Sequence, residues 1–266
     1  MGSAFHERPT ATLRALADAL RLGRLHAPVT SAGLAKVGIR GLPAGVVAEV
    51  DAGLAGFGAL GVAWGVDRLV AEREAQVAAR PELVWTGPET PGTGSRDTSV
   101  VVEELFRSAE RSVLVATYAI YQGAKVFALL AERMRAIPDL SVRLFVNIPR
   151  PAGCPPNVGE AHLVRSFGER FVAEDWPAGV RLPELLYDPR SLSTDPGPKA
   201  CLHAKCIVVD DARAFVTSAN FTEAAQERNS ETGVLSRDPD FARALREQFD
   251  ALVTAGLLRR VPTGTP

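Results

Sequence analysis

The chain has 266 residues, with 30 Lys and Arg against 31 Asp and Glu, a formal net charge of −1 and 46% hydrophobic side chains. That hydrophobic share supports a packed core and excludes a disordered chain. The near-neutral balance excludes nucleic-acid binding through bulk positive charge, while leaving room for a local basic cleft.

Residues 1–80 are expected to be all-helical. Leu13, Leu16, Ala17 and Leu20 form a stripe at helical spacing. Thr30 and Ser31 can cap a short helix over 31–38. The longest apolar run, Ala52 to Val66, is shorter than the roughly 20 residues that cross a bilayer. Its Gly61-x-x-x-Gly65 reads as close helix packing. A charged helix with Arg68, Glu72, Arg73 and Glu74 follows, and no catalytic constellation appears in this half.

The texture changes at Pro81. Glu82–Gly87 reads as a strand, followed by a Pro/Gly/Ser/Thr-rich loop to Thr98 and a helix near Ser99–Ala109. Ser112–Ile120 is a buried strand by composition, then come a helix over Ala124–Ile137 and a strand over Ser141–Ile148. A proline-stiffened loop over 149–157 leads to a helix near Val158–Glu174, a strand near Arg181–Tyr187 and an irregular stretch to Lys199. Two apolar strands joined by a turn at Asp210–Arg213, a strand from Glu231 to Leu235 and a helix over Pro239–Thr254 complete the pattern. Strands alternating with helices predict an α/β domain over 81–257, with 258–266 as a flexible tail. No internal repeat is present.

The chemistry gathers between His203 and Asn220. The order is His203-x-Lys205, four residues, Asp210, six residues, then Thr217-Ser218-x-Asn220, with Glu231 further on. On a strand, side chains two apart share a face. An antiparallel pair can therefore gather His203, Lys205, Ser218 and Asn220 around one pocket. Lys205, Ser218 and Asn220 suit the non-bridging oxygens of a phosphodiester. His203 can attack phosphorus, and Glu231 can orient the imidazole through its other nitrogen. Asp210 belongs to the same catalytic set in a structural role, because it sits at the turn and points away from His203.

This arrangement resembles the HKD motif of the phospholipase D superfamily, with Thr217 standing where glycine is usual. The resemblance implies a mixed sheet flanked by helices and a metal-independent phosphodiesterase with His203 as nucleophile. Lys205, Asn220 and Ser218 would be phosphate ligands, and Glu231 would support the His. No cofactor is implied. The chemistry needs two histidines, one to attack and one to protonate the leaving oxygen. His6, His26 and His162 all lie outside any His-x-Lys motif. Single-motif members of the superfamily build the site across a two-fold homodimer, which is the expectation here.

The motif could persist in an inactive scaffold that grips phosphate or a partner. Cys201-x-His203-x-x-Cys206, with Cys154, resembles a zinc ligand set, but strand parity turns Cys206 away. The glycine-rich loop from Gly87 to Arg96 lacks the lysine of a phosphate-binding P-loop, so Arg96 or Thr98 is expected only to line the substrate cleft. Tyr118, Tyr121 and Gln122, at a strand end, are candidates to touch substrate, and Trp85 and Trp176 read as core or rim.

Three irregularly spaced cysteines suggest a reduced, cytoplasmic protein, and no leader or myristoylation signal is expected. Without an evident amphipathic membrane surface or lipid anchor, nucleic acid, and DNA in particular, is favoured over lipid. The wider layout runs from a helical start through Val84-Trp85-Thr86-Gly87-Pro88 and Arg96-x-Thr98 to one C-terminal motif. It resembles the phospholipase D-like component of the bacterial DISARM phage-defence system. That resemblance implies a nuclease role in restricting foreign DNA, with other defence proteins as partners.

Overall fold

The computed structural model describes residues 5, 8–78, 80–88, 94–197, 199–222, 224–225 and 228–263. They divide into two compact units, Met1–Ala79 and Arg80–Pro266.

In the first unit, α1 (Thr10–Arg21) buries Leu13, Leu16, Ala17, Ala19 and Leu20. This is the stripe that helical spacing predicts. Thr30 caps α2 (Ser31–Lys36), its hydroxyl accepting a hydrogen bond from the Gly33 amide at 3.1 Å. Helix α3 (Ala44–Ala78) leaves helical geometry at Gly58, where φ is 68°. Glycine adopts that left-handed conformation without steric penalty. A Cβ on Gly53 would lie 3.0 Å from Val62. On a straight helix those positions would be about 13 Å apart, so limbs 44–57 and 59–78 fold back on each other.

Ala44–Val77 is long and apolar enough to cross a membrane by length and composition, which the shorter run Ala52–Val66 was not expected to be. The reversal at Gly58 divides that length. Limb 44–57 reaches only about 21 Å, and limb 59–78 carries Asp67, Arg68, Glu72, Arg73 and Glu74. Arg21 pairs with Asp67 and Arg14 with Glu74, tying α1 to the second limb.

The second unit is built on a nine-stranded mixed sheet. Its strands are β1 (Glu82–Thr86), β2 (Arg96–Asp97), β3 (Ser112–Thr117), β5 (Ser141–Val146), β6 (Glu184–Tyr187), β7 (Cys206–Val209), β8 (Arg213–Thr217), β10 (Glu231–Ser236) and β11 (Arg259–Arg260). Their spatial order is β11-β6-β5-β3-β7-β8-β10-β1-β2. Short strands β4 (Ile120–Tyr121) and β9 (Phe221–Thr222) pair separately, in parallel. The helices are α4 (Thr98–Arg107), α5 (Gly123–Val126), α6 (Ala128–Ala136), α7 (Glu160–Arg170), which continues into one π turn at Phe171–Asp175, and α8 (Pro239–Thr254).

Alternation explains the layers. Val113 and Val115 of β3 join Val142, Leu144, Ile207 and Phe215 in one core, against Leu105, Leu130 and Met134 of the helices. Leu114 and Ala116 point the other way, with Phe145, Val208 and Ala214, onto Ala242 and Phe249 of α8. Both faces of the central strands are apolar because helices cover both.

Several expectations are corrected at the edges. The helix foreseen over 124–137 breaks at Phe127, which is fully buried against the rings of Trp176 and Phe221. The loop before Thr98 contains β2, which pairs in parallel with β1, while residues 89–93 of that loop lie outside the described residues. The tail from 258 supplies β11, which pairs with β6 while Leu258 and Val261 are buried.

The β7–β8 turn places Asp210 and Asp211 at φ 56° and 57°, and the Ala212 amide donates to the Val209 carbonyl at 3.0 Å. Two consecutive left-handed residues match the right-handed twist of a hairpin, and Asp tolerates that conformation. Strands β3, β5 and β6 run parallel, with β7 antiparallel to β3. One end of the sheet therefore gathers the ends of β3, β5, β6 and β8 with the starts of β7 and β10.

Candidate active site

His203 and Lys205 immediately precede β7, where Cys206 pairs with Ala116 near the end of β3. The Thr217 amide donates to the Lys205 carbonyl at 3.1 Å, and the Ser218 amide to the Thr232 carbonyl at 2.9 Å. These bonds carry Ser218 and Asn220 to the same end of the sheet. The four residues lie just beyond the regular strands, so convergence of strand ends assembles them rather than a shared strand face.

Lys205 is buried and His203 exposed. The Lys205 ammonium donates to the His203 carbonyl at 2.8 Å and lies 3.1 Å from Nδ1 and 3.3 Å from Nε2 of the same ring. Tyr118 packs on His203 with ring centroids 4.8 Å apart at 55°, and Lys205 Nζ sits 5.5 Å from the Tyr118 centroid. Burial pulls the Lys205 pKa below the ordinary 10.5, opposed by the negative potential of Cys201 and Glu231.

Glu231 does not orient His203. The Ser218 hydroxyl donates to its Oε2, and Asn229 donates to its Oε1 at 3.4 Å. His203 instead keeps its ring against Lys205 and Tyr118. Among the described residues the Asn220 side-chain amide makes no hydrogen bond, and its Oδ1 is buried without a partner. Thr217, in the usual glycine position, is built in: its hydroxyl donates to the Thr232 carbonyl at 3.2 Å and accepts from the Ala219 amide at 3.0 Å.

Asp210 is absent from this site. It lies at the far end of β7, roughly 16 Å from Lys205 along the strand. Its carboxylate accepts from the amides of Glu110, Arg111 and Ser112 at 2.7–2.9 Å. Arg96 does not line the site either. It pairs with Glu104 and with Glu82 at 3.3 Å, and Glu82 is also bound by Arg237. Glu82 opposes Leu235, whereas Glu231 opposes Thr86, so this ion-pair cluster occupies the other end of β1. Thr98 is buried in the first turn of α4. Trp85 is half-buried on β1, and Trp176 is a core residue whose indole donates to the Arg181 carbonyl at 3.1 Å.

Thr117 was not foreseen. Its hydroxyl donates to the Ala119 carbonyl at 2.9 Å and accepts from the Phe221 amide at 3.3 Å, tying the Tyr118 segment to the Asn220 segment. Cys201 is exposed, while burial pushes the Cys206 thiol up to about 12. Among the described residues no group of three or more His, Cys, Asp or Glu could hold a metal ion.

His-x-Lys and Ser-x-Asn thus meet at one sheet end, inside a segment that a family model assigns to the phospholipase D-like superfamily of phosphodiesterases. More particularly, the family model described as "Cardiolipin synthase, PLD-like domain" matches residues 102–253, more than half of the sequence, and the chain belongs to that family. Similar solved structures include Nuc from Salmonella typhimurium, a phospholipase D family member. It is 19% identical, with 68% of this chain and 97% of that one covered and a TM-score of 0.41. NucT from Helicobacter pylori is 15% identical, with coverage of 66% and 97% and a TM-score of 0.43. Phosphatidylserine synthase from Haemophilus influenzae Rd KW20 is 14% identical, with coverage of 74% and 47% and a TM-score of 0.42. No curated protein matches the chain.

Proposed function

We propose that this chain is a nuclease that attacks a phosphodiester with His203, through a phosphohistidine and without a metal. The observation that carries the reading is the contact of the buried Lys205 ammonium with the exposed His203 ring, at the strand ends that also bear the unpartnered Asn220 amide. A buried cation and the Nδ2 donor of the Asn220 amide are suited to phosphate oxygens whose charge grows in the transition state. A ring nitrogen of His203 forms the bond to phosphorus as the bond to the leaving oxygen breaks, and a second acid protonates that oxygen. Water then attacks the phosphohistidine and returns the histidine free.

The second acid is His203 of a second copy. None of the other histidines, His6, His26 and His162, is followed by Lys two residues on. A two-fold homodimer would set two copies of the motif against one phosphate. Light scattering together with activity tests this: full turnover by a strict monomer would overturn it.

Nucleic acid, DNA foremost, is the substrate we favour, in the bacterial cytoplasm and in anti-phage defence. The order of segments, which resembles that of the DISARM phospholipase D-like component, supports that setting and other defence proteins as partners. A phospholipid is the second reading. It draws on Phe57, Leu60 and Trp64, three large apolar side chains exposed around the reversal in α3. The deciding experiment is a chelator-treated panel of single- and double-stranded DNA, RNA and phospholipid, run on wild type and His203→Ala. Nucleolysis lost in His203→Ala supports the proposal. Release of a head group alone favours the lipid reading. No reaction, with phage protection intact in His203→Ala, leaves an inactive scaffold.

A further inference from the structure

We propose that the cavity beside Tyr118 is a subsite for one unstacked base of a single-stranded nucleic acid. This rests on the nuclease reading above. The cavity measures about 300 Å³ and opens at the ends of β3 and β5. That is the lower end of small-molecule pockets, suited to one planar ring system rather than a lipid chain. Tyr118 lines it and also packs on His203. A phosphate held at His203 would therefore place its nucleoside substituent at the cavity mouth.

The walls carry the chemistry of a base. Tyr118 and Tyr121 are 38% and 66% exposed, offering ring faces on which bases of any identity can stack. Asn147, just past β5, lines the cavity yet is only 6% exposed. Among the described residues its side-chain amide makes no hydrogen bond, and Oδ1 has no partner. A buried amide is rarely left unpaired without a role. Its Nδ2 remains free to donate to an acceptor on a base edge.

Arg170 completes the wall. Its guanidinium lies over Phe167, 5.2 Å from the centroid, and pairs with the buried Asp175 at 3.7 Å. A fixed cation there suits a base carbonyl or a neighbouring phosphate and repels a cationic lipid head group. Gly123 allows this wall to close in, since a Cβ there would lie 2.5 Å from the Asp175 carbonyl oxygen. A base within a duplex must first be unstacked and unpaired, at a cost of about a few kcal/mol that a single strand is spared, so the subsite favours a single strand.

The test is calorimetric titration of the full chain with a nucleoside 5′-monophosphate and with base-free deoxyribose 5-phosphate. The nucleotide should bind about tenfold tighter or better, the worth of one stacked base. Asn147→Ala and the solvent-facing Tyr121→Ala should each erode that difference while leaving deoxyribose 5-phosphate binding unchanged. Equal affinity of the two ligands, or a difference untouched by Tyr121→Ala, overturns the subsite whatever Asn147→Ala does to folding. Cleavage of single-stranded against duplex oligonucleotides separates this proposal from the one beneath it. Base-dependent binding with no cleavage would sink the nuclease reading and keep the subsite. Cleavage that ignores both base and strandedness would do the reverse.

Discussion

The two ends of the β7–β8 hairpin hold members of one motif and treat them in opposite ways. At the turn, the Asp210 carboxylate accepts three backbone amides, and Arg111 donates to the Asp210 carbonyl at 2.8 Å. At the open end, Lys205 is buried with only His203 to bond, and the Asn220 amide bonds nothing among the described residues. Buried polar groups are ordinarily satisfied. The bonded turn of the hairpin is therefore structural, whereas the unpartnered Asn220 amide at the other end fits the proposed ligand site, a local rule broken where that function would require it.

Lys205→Met is the strongest way to break that contrast. It should lower kcat/KM by about a thousandfold, the scale of losing one charge-stabilising group. Its melting temperature should hold or rise, because a buried ammonium is replaced by an apolar chain of similar length. Retained activity would remove Lys205 from the site; a collapse in stability would make it structural instead.

Asp210→Ala should do the converse. Three amides lose a charged acceptor, worth about 3 kcal/mol in total, or a fall in Tm of roughly 6–12 °C. The folded fraction should turn over within about threefold of wild type. An inactive variant with an unchanged Tm would return Asp210 to the catalytic set.

How much of this was legible in the sequence follows the same line. His203, Lys205, Ser218 and Asn220 are readable because two hydrogen-bonded strands impose fixed spacings on residues that meet at their ends. Asp210 could be read as structural from its place in the turn. Asn147 and Thr117 could not be found, because their roles depend on where β5 and β3 end in space. For Glu231 the sequence does not reveal the partner, because the Ser218 hydroxyl meets its carboxylate only once β8 and β10 pair. The place of Arg96 is not legible because its partners, Glu82 and Glu104, come beside it only in the fold. The reversal at Gly58 hides in a run where glycine recurs, with only backbone geometry marking which one turns.

A pH profile sharpens the comparison with a smaller effect. Burial lowers the Lys205 pKa below 10.5, and the proposed role needs the charged form. Activity should therefore fall as pH rises through that lowered value, earlier than for an exposed lysine. The stability sign runs the other way. Charging the buried group costs stability fully below the folded pKa, and the cost disappears as pH rises past 10.5. Lys205→Arg, charged throughout, should lose this alkaline limb at whatever reduced rate it keeps. An unaltered limb in Lys205→Arg would assign it to another group.

The smallest effect probes how firmly the open end is held. Cys206 follows Lys205 directly and is 3% exposed, its thiol pushed up to about 12 by burial, whereas Cys201 is exposed. Reaction needs a thiolate that can be reached. Near pH 8 a thiol reagent should label Cys201 in the native protein and reach Cys206 only on unfolding, as read by mass spectrometry of digests. An adduct at Cys201, two residues from His203, should slow turnover modestly by crowding. Native labelling of Cys206 would mean that the start of β7 opens readily. The Lys205–His203 contact would then be transient, and the unsatisfied end of the hairpin would be loose rather than preorganised for phosphate.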